Sequence, residues 1–279
     1  PVLSRYGNAD PNISMLRTDS LSPRYLRTSP EYAMKRLLAA GYRDIYEMGR
    51  VFRAGEQGRH HNPEFTLLEW YRTGMDYLEL AAEVVDLVRS CGHGIFDRWE
   101  VQQVDYRSLF VQHTGLDPLN CSESDLEDCA ADRGIVAGIL DAAEWLDLLM
   151  SEVIQPALPG ECFTILYDYP PEQAALSRIR PGDPPLAERF EVYLGQTELA
   201  NGYQELTDAG EQQRRFQREK QQCEARGDES VPIDLGLIAA LESGIPECSG
   251  VALGVDRLLM ALLKLDDIDS VLTFSAERI

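Results

Sequence analysis

Apolar positions follow two different rhythms along this chain. Between residues 77 and 155, the stretches LELAAEVVDLVRSC, SESDLEDCAADRGI and DAAEWLDLLMSEVI repeat at helical spacing, with Ser122 as a cap. Elsewhere, shorter runs rich in β-formers predict strands: DIYEMGRVF, the stretch 64–71, CFTILYDY, RFEVYLGQTELANGY and GVALG. A hairpin with a long loop would pair 47–53 with 64–71. In TSPEYAMKRLLAAGY, Ser29 suits an N-cap, Pro30 the first helical position, Glu31 the positive end and Gly41 the stop. A polar helix is predicted over roughly 208–226 and an apolar one over VDRLLMALLKL. Residues 1–23 read as loop, broken at Gly7-Asn8, Asp10-Pro11 and Ser22-Pro23. Strands, then helices, then strands predict an α+β fold with a largely antiparallel sheet, as one domain over 1–279 with a helical insertion at about 77–155. No repeat, low-complexity tract or linker interrupts it.

Composition narrows the class. The chain has 279 residues, 44% hydrophobic and 26% charged, the profile of an ordinary soluble globular protein. No apolar run approaches the roughly 18 residues of a membrane span. Its formal charge of −21 argues against a broad nucleic-acid surface, which needs Lys and Arg to neutralise phosphates. Cysteines 91, 121, 129, 162, 223 and 248 form no C-x-x-C pair, so a reducing cytoplasm is expected. Histidines 60, 61, 93 and 113 offer no helical i, i+4 metal pair.

Several charged positions carry more information. In RHHNPEFTLLEWY (59–71), Glu64 and Glu69 sit in apolar company, and burying a carboxylate is costly unless it is paired. Either one face of this strand lines a polar pocket, or the strand is half-exposed. Arg53 stands at a strand end, where solvation alone explains it. Glu198 and Glu205 flank Asn201; a separation of seven puts them on opposite faces of a flat strand, unless a bulge or turn at Asn201-Gly202 intervenes. Arg257 opens a helix just after the glycines of SGVALG, where free N–H groups and a fixed cation welcome an anion. Ser29 and Glu31 are explained by capping. Together the parts suggest a polyphosphate site, with arginines on phosphate oxygens and glutamates on Mg²⁺. There is no P-loop, kinase signature or G-x-G-x-x-G.

RVFRAGEQGRHHNPEFTLLEWY resembles motif 2 of the class II aminoacyl-tRNA synthetases in its lysyl form. CSGVALGVDRLLM resembles motif 3, and ERFEVYLGQTELANGYQELTDA the strand between them. SPEY, MKRLL, HNPEFT and CSGVALGVDR place the chain nearest the short lysyl-synthetase paralogues that modify elongation factor P. That resemblance implies a six- or seven-stranded, mainly antiparallel sheet flanked by helices, and a homodimer. It implies ATP-dependent activation of (R)-β-lysine, less well α-lysine, and transfer to a lysine of elongation factor P. Arg53 and Arg257 would be catalytic. Arg53, Glu56, His61, Asn62, Phe65, Glu198, Leu199, Gly254 and Arg257 would bind ATP: Arg53 at the α-phosphate, His61 at the phosphate tail, Asn62 at the adenine edge, Phe65 on its face. Ser29, Pro30, Glu31, Glu69, Tyr71, Asn201, Glu205 and Ala252 would bind the amino acid, and Glu198 and Glu205 Mg²⁺.

Three departures stand out. Gly55 fills the usual motif 2 glutamate position, with Glu56 one residue later. Pro1 resembles the final proline of motif 1, so the dimer-forming helix of that motif is expected upstream of residue 1. Ala252 replaces the glycine usual in lysyl-tRNA synthetases. RRFQREK (214–220) offers a basic run for the protein partner, or simply a solvated helix face. Two rival readings are a truncated lysyl-tRNA synthetase, disfavoured by the charge, and a non-catalytic sensor, which should have lost Arg53, Glu198, Glu205 and Arg257.

Overall fold

A computed structural model describes residues 1–8, 13–20, 22, 24–226 and 231–278. In chain order these form β1 (Leu3–Ser4), β2 (Tyr25–Leu26), α1 (Glu31–Ala39), β3 (Tyr46–Phe52), β4 (Glu64–Thr73), α2 (Tyr77–Gly92), β5 (Glu100–Asp105), α3 (Tyr106–Thr114), α4 (Glu123–Ala131) and α5 (Ala142–Leu149). Then follow β6 (Cys162–Tyr169), β7 (Ile179–Arg180), β8 (Leu186–Leu194), β9 (Thr197–Gln204), α6 (Ala209–Arg226), α7 (Leu235–Ser243), β10 (Cys248–Gly254) and α8 (Val255–Leu263). The expected α+β class holds. Asp10, Pro11 and Pro23, read above as breakers, lie outside the described residues. Among the described residues, no helix is long and apolar enough to cross a membrane.

The chain forms two compact units, 1–76 with 205–279, and 77–204. In the first, β4 is central: β3 pairs with it antiparallel on one side (Tyr46↔Trp70 to Phe52↔Glu64), as the long-looped hairpin predicts, and β10 on the other (Cys248↔Thr73 to Gly254↔Leu67). Trp70, Val251 and Leu253 are buried on one face of this sheet. Helix α1 packs on α7, α6 on α7, and α8 on β4. The start of α1 differs by one position from the expectation. Pro30, not Ser29, is the N-cap and Glu31 the first helical residue, although the Ser29 hydroxyl still accepts from the Glu31 N–H.

In the second unit, β8 pairs antiparallel with β6, β7 and β9, while β5 runs parallel to β6. Alternation along β6 feeds two cores. Leu166 packs with Phe110, Leu126, Trp145 and Leu149 of α3–α5, and Phe163 with Phe96 and Trp99 beyond α2. The helical stretch expected at 77–155 therefore encloses a strand, β5. Its Glu-Val-Gln-Gln-Val-Asp pattern is too polar to announce a strand, and only β6 pairs it among the described strands. Two helices gave no clear signal either, α3 and α7. Ser122 caps α4 with a reciprocal Asp125 contact, as its position predicts.

Phe163 is wholly buried between those aromatic edges, with the Arg89 guanidinium 5.5 Å from its ring centroid. Phe163→Ala should destabilise the chain by about 3–5 kcal/mol, measured by urea denaturation.

Candidate active site

Strand β4 decides what faces the site. Partners directly opposite in a ladder point to the same side of the sheet. Glu69 lies opposite Glu47 and Ala252, Leu67 opposite Gly49 and Gly254, Tyr71 opposite Gly250, and Phe65 opposite Val51. One face therefore carries Phe65, Glu69 and Tyr71 beside a row of very small residues on β10. Of the two readings of this strand, the structure supports the polar face. At Gly250 the small size is required: a Cβ there would collide with Glu205 Oε1 and the Tyr71 ring.

Above that face lies a buried charged cluster. Lys35 is 1% exposed, Glu205 2% and Glu69 3%. Lys35 Nζ donates to Glu31 Oε1 and contacts Glu205 Oε2, both at 2.6 Å. Glu69 is held by neutral donors instead: the Ser29 hydroxyl at 2.8 Å on Oε2 and the Tyr71 hydroxyl at 2.8 Å on Oε1. Burial favours the neutral form of a carboxyl, and nearby carboxylates push the same way. Glu69 is thus pushed up to about 8, first by burial and then by Glu31. Burial also raises Glu205, against the pull of Lys35. Burial alone would lower Lys35, but Glu205 and Glu31 more than reverse this, so its ammonium stays charged.

Several residues expected to bind the nucleotide gather around the loop before β4. The Arg53 guanidinium lies 5.2 Å from the Phe65 ring centroid, and its Nη1 is 3.4 Å from Glu56 Oε1. Arg53 Nε is buried with no hydrogen-bond partner among the described residues, a donor suited to an anion. Arg257 Nη2 lies 2.7 Å from His61 Nε2. Because a guanidinium only donates, His61 must accept at Nε2 and be neutral. Burial, then Arg257, lowers its proton affinity. Arg53 acts on the same imidazole, so both arginines converge on it. At Gly254 an added Cβ would make ordinary van der Waals contact with Arg257's side chain, at 3.7–3.8 Å. Asn62 is anchored within the loop: its amide donates to Glu64 O and accepts from Ala276 N.

The remaining expected residues belong to the second unit. The β8–β9 register jumps between Val192↔Ala200 and Tyr193↔Glu198, so a bulge lies at Leu199 rather than at Asn201-Gly202. The bulge turns Glu198 and Asn201, opposite Tyr193 and Glu191, to one side. Leu199 is buried. The Asn201 amide points to Glu191 Oε1 at 3.4 Å, leaving its buried Oδ1 without a hydrogen-bond partner among the described residues. Glu191 is fixed by Arg189 at 2.6 Å and the Tyr193 hydroxyl at 2.5 Å. Glu198 and Glu205 thus fall in different units. Among the described residues, no group of three or more His, Cys, Asp or Glu is placed to hold a metal.

The sequence matches the family of class II tRNA synthetases (D, K and N) over residues 1–278. The chain belongs to that family. It is similar to proteins named elongation factor P–(R)-β-lysine ligase: at 43% identity over 100% of this chain and 86% of the protein from Haemophilus ducreyi. The counterpart from Pectobacterium atrosepticum is 44% identical over 91% of this chain and 78% of that protein. The one from Sodalis glossinidius is 45% identical over 92% and 78%. Membership in this synthetase family carries ATP use with it.

Within the synthetase framework, some side chains escaped the sequence reading. Lys35 was legible: it stands between buried Met34 and Leu38 on α1, one turn from Glu31, where a lysine on an apolar face demands partners. Asp256 was not; its Oδ2 accepts from the Thr66 N–H at 2.6 Å, tying the start of α8 to β4. In the basic run on α6, Arg214 and Arg215 pair with Glu211 and Lys220 with Glu224, and Arg215 is buried.

Two outcomes follow. Glu69 holds its proton more tightly folded than at its ordinary 4.5, so its contribution is present below that value and is lost as pH rises through about 8. The ligand-free melting temperature should therefore fall across that window, and Glu69→Gln should flatten the slope in calorimetric melts. Gly250→Ala should misplace Glu205 and Tyr71, costing about 1–3 kcal/mol of stability in urea denaturation.

Proposed function

We propose that this chain activates a diamino acid, (R)-β-lysine in preference to α-lysine, as its adenylate and transfers the acyl group to a lysine side chain of elongation factor P. One observation carries this reading furthest. Among the described residues, Lys35 pairs with Glu31 and Glu205 while Glu69 beside them has only neutral hydroxyl donors, so the buried acidic site favours a ligand bearing ammonium groups. The names of the similar ligases supply the acyl donor and acceptor.

In the first step the amino-acid carboxylate attacks the α-phosphorus of ATP, and pyrophosphate leaves. Charge grows on the phosphate oxygens, and fixed cations that already point there lower the barrier. Arg53, with its unpartnered Nε, and Arg257 take this role. Neutral His61 accepts from Arg257 and would orient it toward the phosphate tail. In the second step the acceptor amine attacks the adenylate carbonyl and AMP leaves.

Bound Mg²⁺ would neutralise phosphate charge. Glu198 is the carboxylate we assign to it, since oxygen ligands suit this ion. Glu205, tied to Lys35, we assign to the amino acid instead. Ser29, Pro30 and Tyr71 would shape the same side, and Asn201 is a further residue we assign to the amino acid. Two copies of the chain are expected to associate.

ATP–pyrophosphate exchange followed by acyl transfer to purified elongation factor P tests the reading. Exchange with (R)-β-lysine and transfer to the factor are expected. Transfer to tRNA instead would make it a tRNA-charging enzyme, and no exchange with any diamino acid would leave an amino-acid sensor. Arg53→Ala should slow exchange by about 10²–10³. Ala252, opposite Glu69 in the ladder, places a methyl on the site face. Ala252→Gly should shift the preference toward α-lysine, by a factor on the order of 10; an unchanged ratio would remove Ala252 from selection.

A further inference from the structure

We propose that Lys35 is a specificity-determining residue: its ammonium sets the formal charge of the amino-acid site so that the site accepts ligands carrying two ammonium groups. This rests on the function proposed above and deepens it.

The argument begins with the location of the ammonium. Lys35 lies on the buried face of α1, and a buried ammonium is tolerated only when paired. It occupies one oxygen of Glu31 and one of Glu205, at 2.6 Å each. Glu69 receives nothing from it; neutral Ser29 and Tyr71 hydroxyls hold that carboxylate. With all three carboxylates ionised, the cluster carries a formal −2. A ligand with two ammonium groups cancels that charge, whereas a monoamine leaves one buried carboxylate uncompensated. Without Lys35 the cluster would stand at −3, and mutual repulsion would make it hold protons instead.

Neighbouring groups leave this count unchanged. Glu47, opposite Glu69 on β3, is paired with Arg27 at 2.5 Å. Arg36, next on the helix, runs toward Gly236 of α7. Burial keeps the Cys248 thiol and the Tyr71 phenol neutral. Lys35 also positions what remains: Glu205 Oε1 lies over Gly250, on the same side of the sheet as Glu69 and Tyr71.

The test uses the full chain with Lys35→Met and Lys35→Arg. In pyrophosphate exchange at pH 7, Lys35→Met should raise KM for (R)-β-lysine by ~10–100-fold while KM for ATP stays within about twofold. Its amino-acid KM should recover as pH rises toward 9, because the crowded carboxylates then ionise; the parent should change less over that range. Lys35→Arg, which keeps the charge, should stay close to the parent. Calorimetry supplies a readout independent of turnover. The parent should bind 1,5-diaminopentane at least ~10-fold more tightly than 1-aminopentane, with proton release at pH 7. A cooperatively melting Lys35→Met with parental KM and pH profile overturns the proposal. If that variant does not melt cooperatively, equal affinity of the parent for the two amines, without proton release, overturns it. Absence of exchange with any diamino acid would instead defeat the ligase reading, while the two amines would still report the charge of the cluster.

Discussion

Three carboxylates gathered around one buried ammonium impose the constraint that the first unit is built to satisfy. Charges removed from water must be compensated by neighbours, and here the compensation is partial by construction. Lys35 reaches Glu31 and Glu205, while Ser29 and Tyr71 hold Glu69 through neutral hydroxyls. The sheet beneath is shaped to match. Gly250 leaves room for the Glu205 carboxylate and the Tyr71 ring, and Ala252 lies opposite Glu69. A larger residue on β10 would displace the acids that give the site its charge.

The same strand also separates opposite charges. Phe65, with Arg53 stacked over it, lies four positions before Glu69, roughly 13 Å along β4 at about 3.3 Å per residue. Cations thus gather at the start of the strand, around His61, and carboxylates further along. On the function proposed above, an amino acid entering such a field would orient with its carboxylate toward the phosphates and its ammonium groups toward the acids. This ordering brings the reacting atoms together by positioning, which is most of what adenylate chemistry asks of a protein. Asp256 fixes the relation further by bonding β4 beyond the end of β10, where the ladder alone would leave the Thr66 N–H open.

Much of this architecture was legible in the residues. The hairpin of β3 and β4, the long helix α2, the capped α4 and the glycine-bearing β10 all follow from period, caps and turn residues. Strand β5 did not, because an edge strand made of Glu, Gln and Asp carries no apolar alternation. The bulge lies at Leu199, not at the Asn201-Gly202 position the residues allowed, because register is a property of two strands together. Family motifs named the charged residues but not their bonds. The bonds of the Asn62 amide to Glu64 and Ala276, the second spanning the chain, have no local signature. Lys35 was present in plain view on an apolar helical face, and its partner Glu205 could be found only once the fold was known.

The central claim is that the acidic cluster, with Lys35 inside it, is where the amino groups of the ligand lie. A crystal structure with a non-hydrolysable sulfamoyl analogue of (R)-β-lysyl adenylate tests this most directly. Both ligand ammonium groups should lie within about 3 Å of carboxylate oxygens of Glu31, Glu69 or Glu205, with Lys35 still bridging its two partners. A ligand whose amino groups lie elsewhere, or whose binding expels Lys35 from the cluster, would contradict the account.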